Sequence, residues 1–332
     1  MRTRTLSNGT TTFDVSHLAL GTMLMGTSTD EATSFAILDR YTEAGGTFLD
    51  TADNYGAWGG GDPAKRGRDS EHVLGRWLAS RGADAAHLRL ATKVGAAQKD
   101  PSKPLSNTPP TNFEGLDAET IRRQAHESLR VLGVDRLDVL YGHVDDAETP
   151  LAETVGAFGK LVADGVVGIA GISNVPLWRV VEAREEARRQ GVAPYGLVQQ
   201  QSSYVFPLPD PGRRNVASAE LLDYAASTGT PDRPPLVVTA YSPLLQGAFT
   251  RDDKPLWPGY EHPTTRHRIQ ALHDVARELG ATPNQVALAW LLGGPTPVIP
   301  VVGASSVAQL DEALGAADLV LDDELHARLA AA

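Results

Sequence analysis

The chain of 332 residues contains no cysteine. That excludes disulfides, thiolate catalysis and cysteine-ligated metals. It has no run of about 18 apolar residues, so no transmembrane helix is expected. Its first residues, MRTRTLSNGTTTFDV, lack the apolar stretch of a signal peptide, and a cytoplasmic protein is expected. Basic residues are outnumbered: 30 Lys and Arg against 41 Asp and Glu leave a net charge of −11. Nucleic acid and anionic membranes are therefore not expected as partners. The histidines other than His143 show no i, i+4 pairing or other ligand spacing, so no metal is expected. Nothing in the sequence addresses oligomeric state.

What the chain does have is alternation. Short apolar runs occur at 17–23, 46–52, 88–94, 137–143, 166–173, 195–201, 235–242 and 296–304. Continuous apolar runs bounded by glycine or polar residues fit strands buried on both faces. Between them lie amphipathic stretches such as 30–45, 117–133, 150–165 and 176–191. The first places Phe35, Ile37, Leu38 and Tyr41 near one stripe and ends at a glycine pair. The last two carry proline near the start and glycine just past the end, the expected helix punctuation. Eight strand–helix units in succession imply a parallel sheet closed into a (β/α)8 TIM barrel. No linker divides the chain, so a single barrel domain over 1–332 is expected. The segment before it, with Asn8-Gly9 at a turn, reads as an N-terminal β-hairpin capping the barrel bottom. Two connections are too long for simple turns, 95–116 after the third strand and 243–265 after the seventh. Long loops in a compact domain are usually functional.

At the ends of successive strands the sequence places four titratable groups. Asp50 and Tyr55 sit in FLDTADNYG, Lys93 in ATKVG and His143 in YGHVDD. In a barrel of this type, strand C-termini face the active site. A carboxylate, an ammonium, a phenol and an imidazole gathered there can hold and transfer a proton.

The set resembles the aldo-keto reductase family, whose motif around its phenol has the form aspartate–Thr–Ala–x–x–Tyr–Gly. DTADNYG matches it residue by residue, and Lys93 and His143 match the other two positions of the catalytic tetrad. GISN (171–174) and VTAYSPL (238–244) resemble further family segments, so the likeness covers nearly the whole chain. It implies NAD(P)-dependent hydride transfer between the nicotinamide and the carbonyl of an aldehyde, ketone or sugar. Tyr55 would be the general acid. Lys93 would lower its pKa, Asp50 would pair with Lys93, and His143 would orient the carbonyl oxygen.

Side chains cannot supply a hydride, so a nicotinamide coenzyme is implied. No G-x-G-x-x-G follows an early strand, and a Rossmann domain is not the carrier. By resemblance, Gly21 and Thr22, the carboxamide partners Ser173, Asn174 and Gln199, and the ring-stacking Tyr241 line the coenzyme site. Strand alternation leaves Gln199 or Gln201 for the carboxamide and turns Gln200 to the other face. Ser242, Leu244 and Gly247, then Gly303, Ser305 and Gln309, would surround the phosphates, with a helix opening at Ser306 in a capping-box pattern with Gln309. NADP(H) is favoured on family grounds. The usual cation for a 2′-phosphate is replaced here by Ser305 and Gln309, so NAD(H) stays open as the alternative. Trp58 and Trp257 are expected to wall a pocket for a small-molecule carbonyl or sugar substrate. Two other readings stand beside this one, a coenzyme-sensing binding protein on the same fold and a Schiff-base aldolase working through Lys93.

Overall fold

The computed structural model describes residues 1–56, 67–100, 102–103, 112–210, 215–294, 296 and 298–332. Two antiparallel strands come first, β1 (Thr3–Ser7) and β2 (Thr12–Ser16). Eight strands follow: β3 (Ala19–Gly21), β4 (Phe48–Asp50), β5 (Arg89–Val94), β6 (Leu137–Gly142), β7 (Val167–Ser173), β8 (Leu197–Gln201), β9 (Val237–Tyr241) and β10 (Ile299–Gly303). Neighbours pair in parallel in the order β10-β3-β4-β5-β6-β7-β8-β9, and the sheet closes on itself. This is the (β/α)8 TIM barrel expected from the eight apolar runs, and each run contains one strand.

Around it lie α1 (Glu31–Glu43), α2 (Asp69–Arg81), α3 (Ala118–Leu132), α4 (Leu151–Ala163), α5 (Leu177–Gln190), α6 (Ala219–Ala226), α7 (Pro263–Leu279), α8 (Pro283–Gly293), α9 (Val307–Leu314) and α10 (Asp323–Ala331). Local chemistry sets their limits. Asp30 and Asp117 accept the Thr33 and Thr120 amides at the starts of α1 and α3, which satisfies donors left over at a helix N-terminus. Gly133 and Gly191 end α3 and α5 in the left-handed region. Helix α3 buries Ile121, Ala125, Ser128 and Leu132 along one stripe, the i, i+4, i+7 rule. In α1, Ile37, Leu38 and Tyr41 are buried, whereas Phe35 is only half-buried at the edge of the stripe. None of the helices described is long and apolar enough to cross a membrane.

The structure adds to the expected loops. The stretch after β9 is long as expected, and two helices rather than one, α7 and α8, lead from it to β10. A third long connection, 202–218, follows β8 and precedes the short helix α6. At its far end Asn215 and Ala217 bond Gln201 at the end of β8.

The hairpin closes the barrel's N-terminal end. Leu6 and Val15 pack with Phe48, Ala91, Val139, Ile169, Leu197 and Ile299 in one apolar cluster. Asn8 accepts the Thr10 and Thr11 amides through its side chain, at 3.0 and 2.8 Å, and donates to the Gly168 carbonyl at 3.2 Å. The turn is thereby fastened to β7. Strand side chains alternate with period two, so the residues two positions further along share the interior face. For Phe48, Ala91 and Leu197 those are Asp50, Lys93 and Gln199. The barrel interior thus changes from apolar to polar toward the C-terminal ends of its strands.

Candidate active site

Four residues expected to act together do converge there. Lys93 Nζ lies 2.5 Å from Asp50 Oδ1, 2.8 Å from the Thr51 carbonyl and 3.0 Å from the Tyr55 hydroxyl. An ammonium has three donors, and these three acceptors use all of them. Since Lys93 donates to the Tyr55 oxygen, the phenolic hydrogen is left to point elsewhere. Asp50 Oδ2 accepts from Gln199 Nε2 at 2.8 Å. The His143 ring meets the Tyr55 ring edge-on, with centroids 5.7 Å apart. All four side chains are buried, and Tyr55 is 8% exposed.

The backbone puts them in place. The Thr51, Asp53 and His143 amides donate to Ala91, Lys93 and Val94 carbonyls, so the ladder between strands continues beyond their formal ends. The segment 51–56 then turns, and Gly56 and Gly67 let it pack against the chain that returns to α2. A Cβ on Gly56 would stand 2.1 Å from Asp69 Oδ2, and one on Gly67 would stand 2.9 Å from the Asn54 Cα. Both glycines have positive φ, which strains any other residue, and at Gly67 a Cβ would also meet backbone.

Burial dominates the electrostatics. It pushes the Tyr55 phenol above its ordinary value, and the Lys93 charge recovers only part of that. Lys93 lowers the phenol's pKa as expected, but the larger effect of burial, which sequence does not show, leaves the net shift upward. Burial also pulls the Lys93 ammonium down, but Asp50 and Tyr55 outweigh it and hold the group above its usual value. His143 is driven well below the usual imidazole range, first by burial and then by the Lys93 charge. It is neutral at pH 7 and can donate one N–H.

The expected coenzyme residues fall around the same mouth. Ser173 Oγ donates to the Gln199 carbonyl at 2.8 Å. Asn174 sits in the left-handed region, with φ of 60°, and its Nδ2 donates to the His143 carbonyl at 2.8 Å. Tyr241 is half-buried at the end of β9 and donates to Asn174 Oδ1 at 2.8 Å. Ser242, Leu244 and Gly247 follow it, all half-buried. Gly303 at the end of the adjacent β10, and Ser305 and Gln309 beyond it, are exposed, and a Cβ on Gly303 would meet nothing within 4 Å. Ser242, Leu245 and Gln246 adopt left-handed backbone there. Such strain persists only where surrounding structure imposes it, and it often marks a binding loop. Gly21 lies close under β10, with Val301 Cγ1 3.0 Å from where its Cβ would be.

Some placements differ from expectation. Thr22 is fully buried, and its hydroxyl bonds Ser70 Oγ at 2.6 Å and the Asp50 carbonyl at 3.1 Å. It links the Asp50 backbone to the start of α2. Gln199 is 2% exposed and turned to Asp50, while Gln201 reaches the Tyr260 hydroxyl at 3.0 Å. Gln200 points to the other side, toward Val175 and Asn174, as alternation requires. Ser306 caps the Gln309 amide as expected, but Gln309 Oε1 returns to Ser305 N at 2.9 Å, one residue short of a full capping box. Trp257 is half-buried beside the cluster of Tyr204, Phe249 and Tyr260. Trp58 lies outside the described residues. Sequence reading passed over Arg68, Ser70 and Glu71, which stand behind the tetrad at the start of α2. Thr92 Oγ1 donates to Glu71 Oε1 at 2.6 Å, and Arg68 bonds the same carboxylate. Their only local signal is an acidic first turn after a glycine-rich loop.

The Tyr241 hydroxyl is held on both sides, by Asn215 Nδ2 at 2.7 Å and Asn174 Oδ1 at 2.8 Å, and the half-buried Ser242 follows it. Among the described residues no group of three or more His, Asp and Glu could hold a metal ion. The sequence model of the Aldo/keto reductase family matches residues 17–332. The chain belongs to the aldo/keto reductase family. Among its relatives is the Bacillus subtilis protein named uncharacterized oxidoreductase YrpG, 34% identical over 96% of this chain and 92% of that one. Norsolorinic acid reductase A of Aspergillus parasiticus is 30% identical over 93% of this chain and 76% of its own. Norsolorinic acid reductase stcV of Emericella nidulans is 32% identical over the same shares. As an aldo/keto reductase the chain is an oxidoreductase for carbonyl compounds.

Proposed function

We propose that this chain reduces an aldehyde or ketone with NAD(P)H, and oxidises the alcohol in reverse, with Tyr55 as general acid. The observation that carries the reading is the buried chain from Asp50 through Lys93 to the Tyr55 hydroxyl, at 2.5 and 3.0 Å. When bound, the reduced nicotinamide supplies the hydride. Tyr55 gives the proton from its hydroxyl to the carbonyl oxygen. Lys93, donating to that same hydroxyl, stabilises the negative charge the phenol acquires as the proton leaves. Asp50 keeps Lys93 charged and in place. Neutral His143 donates its N–H to the carbonyl oxygen and fixes its direction. Burial of all four excludes water, so each charge acts at low dielectric.

Ser173, Asn174 and Gln199 would hold the carboxamide, with Asn174 and Gln199 exchanging their present partners for it, and Tyr241 would stack on the ring. Gly21, Ser242, Leu244, Gly247, Gly303, Ser305 and Gln309 would surround the remainder. NADP(H) is favoured on family grounds. NAD(H) is the alternative, supported by the pairing of nearby guanidinium groups: Arg40 with Asp311 and Arg251 with Asp253. A Schiff-base role for Lys93 needs an uncharged amine, and the raised pKa of this ammonium speaks against it.

The test is loss of reduced-coenzyme absorbance with a reactive aromatic aldehyde, NADPH and NADH side by side, with norsolorinic acid as a second substrate. Tyr55→Phe should lower kcat by about 10²–10⁴, the usual worth of a general acid, with coenzyme affinity nearly unchanged. Full activity in that variant would overturn the assignment.

A further inference from the structure

The geometry points to Asn215 as a positioning residue for the coenzyme site, one that holds the Tyr241 ring in the orientation a nicotinamide would stack on. This rests on the coenzyme reading above. Asn215 Nδ2 donates to the Tyr241 hydroxyl at 2.7 Å. That hydroxyl donates in turn to Asn174 Oδ1 at 2.8 Å, and Asn174 Nδ2 donates to the His143 carbonyl at 2.8 Å. One directed chain therefore runs around the rim from the loop after β8 to β9, to the loop after β7 and to the end of β6. Its direction is fixed by chemistry. The hydroxyl has a single hydrogen, so while it donates to Asn174 it needs a donor on its other side.

Asn215 is itself held firmly. Gln201 N donates to the Asn215 carbonyl at 2.8 Å, and Ala217 N donates to the Gln201 carbonyl at 2.9 Å. Val216 thus pairs with Gln201 in a parallel bridge, like one residue of an extra strand. A side chain mounted on a backbone ladder keeps its place better than one on an open loop. Without this donor, the Tyr241 hydroxyl would be half-buried with one side unmatched, and the ring would gain freedom about χ1 and χ2. Binding a ligand on that face would then have to pay for fixing it.

The experiment is a coenzyme titration by calorimetry of wild type, Asn215→Ala and Asn215→Asp, each in the Tyr241 and Tyr241→Phe backgrounds. Asp keeps the size of the side chain and removes the donor. It also serves if the Ala variant folds poorly. The probes are NADPH, NADH, and the corresponding fragments without nicotinamide, 2′-phospho-ADP-ribose and ADP-ribose. With the Tyr241 hydroxyl present, both substitutions should weaken intact coenzyme about tenfold, the size of one lost hydrogen bond near a ring contact. Fragment binding should stay within about twofold, and in the Tyr241→Phe background both substitutions should be nearly silent. Equal loss for coenzyme and fragment, or equal loss in both backgrounds, would mean a merely structural loop residue and would overturn the inference. Unchanged coenzyme binding in the single variants would do the same. If wild type binds neither coenzyme nor fragment, the coenzyme reading itself falls and takes this inference with it.

Discussion

Asp50 and Asp53 are three residues apart on one segment, both buried, and their surroundings are opposite. Asp50 is matched at each oxygen, by Lys93 at 2.5 Å and by Gln199 at 2.8 Å. Asp53 is 1% exposed, and among the described residues neither of its carboxylate oxygens has a hydrogen-bond partner. Arg68 stands 3.8 Å away and bonds Glu71 more closely. Burial pushes the Asp53 carboxyl up to about 7, Arg68 offsets part of the push, and Glu71 and Glu114 add to it. Depth alone therefore does not decide what a buried carboxylate does. A matched one can hold a charge in place for chemistry. An unmatched one stores a cost that depends on pH.

The largest expected effect comes from unmatching Asp50. Lys93→Met should abolish turnover and lower stability by about 3–5 kcal/mol, because it leaves a buried carboxylate without its cation. The double variant Asp50→Asn with Lys93→Met should regain much of that stability and none of the activity. Urea melts at pH 7 read the first quantity and the coenzyme assay reads the second. A double variant no more stable than Lys93→Met would show that the pair adds nothing beyond its separate parts. Within the pH range of most assays the contribution of the Lys93 charge should be level. The Lys93 pKa is raised on folding, so its stabilisation is fully present below the unfolded value near 10.4 and is lost only as pH rises through the folded one. Turnover should likewise be level from about pH 6 to 9, since His143 is lowered and Tyr55 raised out of that window.

Much of this comparison could be foreseen from one side only. The strands were legible because continuous apolar runs such as VVGIAGIS leave little alternative to a strand covered on both faces. Asp50, Tyr55, Lys93 and His143 were legible because each sits at the end of such a run, in a family motif. Their electrostatic balance was not, since desolvation is a property of the packed site, and at Tyr55 it outweighs the lowering by Lys93. Glu71 and Asn215 were hidden for a different reason. Glu71 looks like an ordinary acidic first-turn residue of α2, and only its contact with Thr92, 21 residues further on, makes it part of the site's foundation. Asn215 looks like a loop residue until β8 supplies the ladder that orients it.

Asp53 gives the next effect. A carboxyl raised from 3.8 to about 7 on folding binds its proton more tightly in the native state. Stability is therefore full at low pH, declines as pH rises through the unfolded value near 3.9, and levels off above about 7. The shift corresponds to at most roughly 4 kcal/mol. Asp53→Asn removes the titration and keeps the shape. Its melting temperature should match wild type near pH 5 within a few degrees and exceed it at pH 8.5. Equal pH dependence in the two proteins would mean that Asp53 is charged, and matched, in solution at all these values.

The smallest effect probes how the two carboxylate environments join. Thr92 precedes Lys93 on β5, and their side chains face opposite ways, one to Glu71 and one to Asp50. Thr92→Val keeps the branched shape that strands favour but leaves buried Glu71 Oε1 without its 2.6 Å donor. The expected loss is about 1–3 kcal/mol, measured by urea melts, with kcat changed less than about threefold. If kcat instead falls as steeply as it does in Lys93→Met, the strand is not rigid enough to separate its two faces. Glu71 would then have to be counted with Asp50 as part of what holds Lys93 in register with Tyr55.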